Sequence, residues 1–329
     1  MGAKSISAIA LFSGGLDSIL ACRIVMDQGI SVTALNFVTP FFGYESPVGK
    51  KYGIDVSLVD ISDKYLTLLK DPPHGFGKRF NPCIDCKIMM VKEAKRIMEE
   101  TNASFIFTGE VIGQRSMSQR KDTLRVIERD SGCDGILLRP LCAKSQKPTQ
   151  AEIDGIIDRE LLFDISGRGR RGQVDLAEKF GITDYPNPAG GCVLTDPVIG
   201  KRIESFYNYQ NEIRAGDMRL LLTGRHYRLP NGGLLTLGRN EAENQKIDQL
   251  YVSGDLILKS MDRPGPTAIL RFSTHAEDAK LAACIVASFS KKLTNAPKIN
   301  EVTAKSDNET ITFKIEPLSD DLFRPWTIL

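Results

Sequence analysis

Ser7-Ala8-Ile9-Ala10-Leu11-Phe12-Ser13-Gly14-Gly15-Leu16-Asp17-Ser18 is the stretch that decides the fold. Its first six residues form a short apolar run and its centre is a Ser-Gly-Gly turn. From Asp17 to Gln28 apolar residues recur at helical spacing until Gly29. A strand, a glycine loop and a helix in that order put the loop at the carboxyl edge of a parallel sheet, where α/β folds bind ligands. Gly14 and Gly15 let a phosphate approach the backbone closely, and loop N–H groups and the helix N-terminus stabilise its charge. Ser13 and Ser18 supply hydroxyl donors, and Asp17 is placed to hold Mg2+. The competing reading is a helix capped by Ser13 and nothing more.

Outward from this loop, Ser31–Phe37, Val56–Ile61, Phe105–Thr108 and Ile136–Leu141 read as strands. Cys86–Glu100 reads as a helix, with Ile88, Val91, Ala94, Ile97 and Met98 at a 3.6-residue period. Such alternation predicts an α/β domain with a parallel sheet covered by helices on both faces. Ser166–Gln173 and Asp184–Pro197 are rich in Gly, Arg, Pro and Asn and read as loops at the edge of this domain, expected over residues 1–195. Residues 196–232 are expected as a linker region with a helix and a strand. From 233 to 329, strands at Thr267–Phe272 and Glu309–Ile315 flank a helix at Ala276–Ser290, which predicts a small α+β domain.

The 329 residues fit two domains, and 42% hydrophobic with 26% charged content is ordinary for a globular chain. There is no apolar run of eighteen residues, so no membrane span is expected. Met1–Ile6 lacks the charged and apolar regions of an export signal, which makes a cytoplasmic address the expectation. Net charge is only +2, but residues 111–147 hold eight Lys/Arg against four Asp/Glu, and Arg214–Arg228 holds four arginines against Asp217. Basic runs are commonly just solvated; two of them in a phosphate-binding chain point to a polyanionic partner.

The loop Leu11-Phe12-Ser13-Gly14-Gly15-Leu16-Asp17-Ser18 resembles the PP-loop of the ATP pyrophosphatase family and lacks the Gly-Lys-Ser/Thr ending of a Walker A loop. The resemblance implies a modified Rossmann (adenine nucleotide alpha hydrolase-like) fold over residues 1 to about 190. It also implies cleavage of ATP between its α- and β-phosphates with transfer of AMP to a substrate oxygen. Asn36 and Phe37, which end the second strand, match the family's adenine-facing position.

Cysteine chemistry separates the branches of that family. Seven cysteines is an odd number and argues against a disulfide framework. Cys22, Cys133, Cys142 and Cys284 lie in or beside apolar segments and read as small core residues. Cys83 and Cys86 open a helix in Asn81-Pro82-Cys83-Ile84-Asp85-Cys86-Lys87, where a helix N-terminus favours thiolate, and Cys192 ends Asn187-Pro188-Ala189-Gly190-Gly191-Cys192. In one reading the three thiols hold a [4Fe–4S] cluster with one iron open to sulfide. In another, Cys83 or Cys192 carries a persulfide that the other resolves; a structural zinc site is the third.

Asn-Pro-Cys-x-x-Cys with a distant cysteine is similar to tRNA 2-thiouridine synthases. Thr108-Gly109-Glu110-Val111-Ile112-Gly113-Gln114-Arg115-Ser116-Met117-Ser118-Gln119 and Leu138-Arg139-Pro140-Leu141 resemble elements of tRNA 4-thiouridine synthases. Physically, Thr108, Gly109 and Glu110 at a strand end would line the nucleotide pocket, and Gln114 and Arg115 would face phosphate or RNA, with Arg168, Arg170 and Arg171 of the arginine-rich loop also on RNA. Leu237-Gly238-Arg239-Asn240 with Asn244, Asp255 and the Arg263-Pro264-Gly265 turn is similar to an NFACT-type RNA-binding domain, which implies RNA contacts for Arg239, Asn240 and Asn244. A polar turn with a helix cap is the plainer reading of those three.

Together these features lead to the expectation of an ATP-dependent tRNA sulfurtransferase that favours 4-thiouridine. Its sulfur donor would be a cysteine desulfurase or free sulfide, and its oligomeric state is left open. The alternatives are a persulfide-using 2-thiouridine synthase, an amide-forming PP-loop ligase, and an RNA-binding adaptor without catalysis.

Overall fold

Five strands, β1 (Ser7–Leu11), β2 (Ser31–Val38), β3 (Asp55–Asp60), β4 (Phe105–Thr108) and β5 (Leu137–Leu138), form an all-parallel sheet in the order β3-β2-β1-β4-β5. The structure, a computed structural model, describes residues 6–43, 48–185, 192–210, 212–292 and 299–328. Alternate side chains of β1 feed two cores. Ala8 and Ala10 pack with the helix Leu16–Met26, whereas Ile9 and Leu11 pack with Ile88, Val91 and Ala94 of the helix Cys83–Thr101. Each fully buried Ile or Leu here contributes about 1.5–3 kcal/mol, so a one-residue slip of β1 would be excluded. The Cys83–Thr101 helix ends where Asn102 turns left-handed (φ 52°) and donates its N–H to the Glu99 and Met98 carbonyls.

The strand order reverses direction between β1 and β4, whose registered pairs run from Ala8–Phe105 to Leu11–Thr108. Such a switch point opens a crevice at the carboxyl ends of the two strands. The Ser13–Ser18 loop leaves β1 and Gly109 leaves β4 at this edge. The expected α/β fold is observed. Among the helices not anticipated are Ser62–Lys70 and Lys121–Ser131, and Arg171–Lys179 begins inside the Ser166–Gln173 segment that reads as a loop from sequence.

The chain divides into two compact units, Met1–Cys192 and Val193–Leu329. In the second, β6 (Arg225–Arg228), β7 (Leu234–Leu237), β8 (Leu256–Ser260), β9 (Ala268–Arg271), β10 (Asn300–Lys305) and β11 (Thr310–Ile315) form an antiparallel sheet ordered β11-β10-β8-β9-β7-β6. The helix Ala276–Phe289 covers one face through Ala282, Ala283, Ile285 and Val286. Residues 196–232, expected as a linker, carry the helices Pro197–Tyr209 and Ala215–Leu221 and the edge strand β6 of this unit. Their attachment is electrostatic as well as apolar. Buried Arg271 on β9 donates to Asp217 (2.7 Å) and to both carboxylate oxygens of Asp255 (2.9 and 2.7 Å). Removing one partner of such a group costs about 3–5 kcal/mol. No helix among the described residues is long and apolar enough to cross a membrane.

Candidate active site

The crevice at the switch point is a cavity of about 320 Å³, lined among others by Ser13, Asp17, Ser18, Asn36, Phe37 and Thr108. Gly14 takes a left-handed φ of 75°, and Ser18 Oγ donates to the Gly15 carbonyl at 2.7 Å. Gly109 faces the loop with no room to spare: a Cβ there would stand 2.4 Å from the Asp17 carbonyl oxygen and 2.7 Å from the Ser18 nitrogen. Asn36 is buried and Phe37 lies beside it at the end of β2, both on the cavity wall. The residues expected to bind nucleotide from three separate sequence segments therefore meet at one edge of the sheet.

Gln114 is not on the cavity wall but acts through Asp17: its Nε2 donates to Asp17 Oδ2 at 2.7 Å, and Gln173 Nε2 donates to its Oε1 at 3.0 Å. Arg170, expected to face RNA, instead pairs with Asp17 Oδ1 at 3.3 Å. Each Asp17 carboxylate oxygen thus has one side-chain partner, Gln114 on Oδ2 and Arg170 on Oδ1. Arg115 lines the cavity, while Arg168 and Arg171 are exposed.

Glu110, expected in the pocket lining, is on the cavity wall, and so is Lys87, which has no role assigned from sequence. Lys87 Nζ stands 3.5 Å from Glu110 Oε1, and the fully buried Arg139 donates from Nε to Glu110 Oε2 at 3.2 Å. Burial pushes the Glu110 carboxyl up, but Lys87 and Arg139 more than reverse this, so it sits below the usual range and is ionised. The signal was present in the sequence, since Lys87 follows Cys86 directly and Glu110 follows Thr108-Gly109. Only packing shows that the two meet.

Cys83 is the first residue of its helix, half-buried, with Asn81 Nδ2 donating to its Sγ at 3.1 Å. Cys86, one turn on, has its thiol pushed up to about 12 by burial, with Lys87 and a hydrogen bond from Tyr65 pulling the other way. Cys83, Cys86 and Cys192 all raise the Tyr65 hydroxyl electrostatically, after burial, which dominates. The three thiols therefore lie within electrostatic range of one tyrosine, which hydrogen-bonds Cys86 and whose ring packs on Phe42 (5.6 Å) at the cavity wall. The Asn187–Gly191 part of the motif before Cys192 lies outside the described residues. Cys22, Cys133 and Cys142 are buried and Cys284 is half-buried against the second core.

Among the described residues, no three His, Cys, Asp or Glu side chains are grouped as for one metal ion. A single ion draws every ligand to one point, whereas an iron–sulfur cluster spreads its thiolates over separate irons. The donor set, three thiols with no histidine among them, fits such a cluster in kind. His74 is held elsewhere, between Asp85 (2.6 Å) and Asp130 (2.9 Å).

Residues 3–153 match the family model of the thiamine biosynthesis protein (ThiI). Residues 224–327 match that of the NFACT protein RNA binding domain. Among solved structures, a 4-thiouridine synthetase–RNA complex with bound ATP is 23% identical, over 54% of this chain and 41% of its own, with a TM-score of 0.36. The chain thus spans about two fifths of the length of that synthetase. The C-terminal part of the fibronectin/fibrinogen-binding protein from Streptococcus suis is 13% identical over 80% of this chain and 86% of its own, with a TM-score of 0.28.

Within the matched RNA-binding region, the three residues expected on RNA have internal partners. Asn240 caps the helix Glu241–Gln249 by accepting from the Glu243 N–H at 3.0 Å, and Arg239 Nε is bonded to Glu243 at 2.9 Å. Asn244 Oδ1 accepts from the Thr267 N–H at 3.0 Å.

Proposed function

We propose that this chain is an ATP-dependent tRNA-thiolating enzyme with 4-thiouridine as its favoured product. One observation carries the reading: the helix Cys83–Thr101 bears Cys83 and Cys86 in its first turn and, through Lys87 and Met90, a wall of the nucleotide cavity. Activation and sulfur delivery would then act on one substrate carbonyl, at its oxygen and its carbon, without its leaving the crevice. The ThiI-family match supports the ATP and sulfur chemistry, and the RNA-binding match favours an RNA acceptor over a free small molecule.

ATP, arriving as its magnesium complex, places its adenine by Asn36 and Phe37 and its phosphates on the Ser13–Ser18 loop. The uridine oxygen attacks the α-phosphorus, pyrophosphate leaves, and the base carries an AMP ester. Sulfur then attacks the activated carbon and AMP departs with the oxygen. Cys83, Cys86 and Cys192 would hold a [4Fe–4S] cluster, which would supply an open iron for sulfide, taken from solution or released from a cysteine desulfurase persulfide by a thiol reductant. A second reading leaves Cys86 out of the chemistry, since burial holds its thiol protonated while no metal is bound. In it, Cys83 or Cys192 carries the persulfide, whose outer sulfur attacks the activated carbon. The other thiol then attacks the inner sulfur, releasing the thiolated base and leaving a Cys83–Cys192 disulfide that an external thiol reductant reopens.

Substituting Cys83→Ala separates the half-reactions. The expected outcome is tRNA-dependent pyrophosphate release near the parent level with thiouridine abolished, read by nucleoside mass spectrometry. Undiminished thiouridine in this variant sinks the sulfur-transfer reading. Iron content of protein purified without oxygen decides between cluster and persulfide.

A further inference from the structure

The basic stretch 111–147 is only partly used by the nucleotide cavity. Much of it lines a second and larger cavity of about 660 Å³ in the first unit, between the helix Lys121–Ser131 and the segment Ala143–Thr149. Lys121, Arg125 and Lys147 line it, are exposed, and have no ion-pair partner among the described residues. Its acids are mostly neutralised: Glu128 is paired to Arg139 and Glu152 to Arg159, leaving Asp134 as the acid of the lining with no ion-pair partner among the described residues. Arg139 lines the cavity too. It is wholly buried, yet its Nη2 has no hydrogen-bond partner among the described residues, while Nε and Nη1 are bonded to Glu110, Glu128 and Gln146.

A buried guanidinium nitrogen without a partner is destabilising unless something binds it. Three unpaired cations around the same space raise the local potential for anions. We propose that this second cavity binds a phosphate group, with Lys121, Arg125 and Lys147 at its rim and Arg139 at its wall. The phosphate belongs either to the RNA backbone or to a free phosphate-bearing small molecule. Its chemistry is independent of the thiolation reading, and only the RNA source rests on it. Since Arg139 also holds Glu110 of the nucleotide cavity, the two cavities share one ion-pair network.

The test uses the full chain with the first cavity saturated by a non-hydrolysable ATP analogue. Inorganic phosphate and a single-stranded RNA oligonucleotide are titrated calorimetrically into the parent and into the K121A/R125A/K147A triple variant, with R125E as a second variant. At about 0.7 counterions released per phosphate contact on a single strand, the triple variant should flatten the log–log salt dependence of RNA binding by about two. Loss of RNA affinity alone identifies a backbone phosphate, and loss of inorganic phosphate binding as well identifies a free ligand. Unchanged constants for both ligands in the triple variant and R125E overturn the site, whether or not the chain makes thiouridine. Conversely, binding lost in these variants while the parent makes no thiouridine overturns thiolation and leaves the site standing.

Discussion

Replacing Gly109 by Ala tests whether the Ser13–Ser18 loop must sit where β4 ends. The new Cβ would lie 2.4 Å from the Asp17 carbonyl oxygen, 2.5 Å from the Asp17 carbonyl carbon and 2.7 Å from the Ser18 nitrogen, all backbone atoms. Ordinary contact begins near 3.4 Å, so the loop has to retreat by about 1 Å. Overpacking of this kind costs about 1–3 kcal/mol, and each kcal/mol lowers the melting temperature of a unit this size by about 2–4 °C. The functional loss should be larger, because a misplacement of about 1 Å in a positioned reacting group can lower the rate about 100-fold. Calorimetry with an ATP analogue and tRNA-dependent pyrophosphate release measure it, with circular dichroism reporting the fold. Gly216→Ala, where nothing lies within 4 Å of the added atom, is the control and should leave both readouts unchanged. A folded Gly109→Ala protein that binds and turns over ATP like its parent would refute the argument that this close approach sets the phosphate loop.

Three further outcomes are expected. Arg271→Ala leaves the buried Asp217 and Asp255 without their cation and should destabilise the second unit by about 3–5 kcal/mol in urea titrations, whereas a loss under about 1 kcal/mol shows the network to be dispensable. The Asp85 hydrogen bond, with Asp130 adding, raises the His74 imidazole above its ordinary value of about 6.5 against a smaller burial effect. Its stabilisation is therefore full below about pH 6.5 and fades as pH rises through the raised value, so the melting-temperature gap between parent and His74→Gln should narrow over that range; a gap constant with pH contradicts this. Asn240→Ala removes the cap from Glu241–Gln249 and should cost about 1 kcal/mol in thermal unfolding, and a larger loss of RNA binding than of stability would support the RNA role expected for Asn240.

Local signals determined much of this protein. The apolar run, Ser-Gly-Gly turn and helical period of Ser7–Gln28 required only near-neighbour geometry, and the period of Cys86–Glu100 marked its helix to within three residues at the N-terminal end and one at the other. The strand Phe105–Thr108 and the helix starting at Ala276 were equally legible, because burial on a sheet or helix face writes itself into spacing. The helix Arg171–Lys179 was not, since its Gly-Arg opening looks like a loop and its burial of Leu176 and Ala177 depends on the helix Leu16–Met26. Nor was the linker reading of 196–232 testable locally: Asp217 belongs to the second unit through Arg271, fifty-four positions away.

Tertiary structure alone decided who meets whom at the site. Residue types made Asp17 a metal ligand and Arg170 an RNA contact, yet folding joins the two in an ion pair across 153 positions. Arg239, Asn240 and Asn244 read as RNA contacts by resemblance, while the structure gives each an internal partner. Spacing reveals periodicity along one segment, but the partner of a charged side chain is chosen by chain reversal at the switch point and by packing between segments, and no window of sequence contains that information.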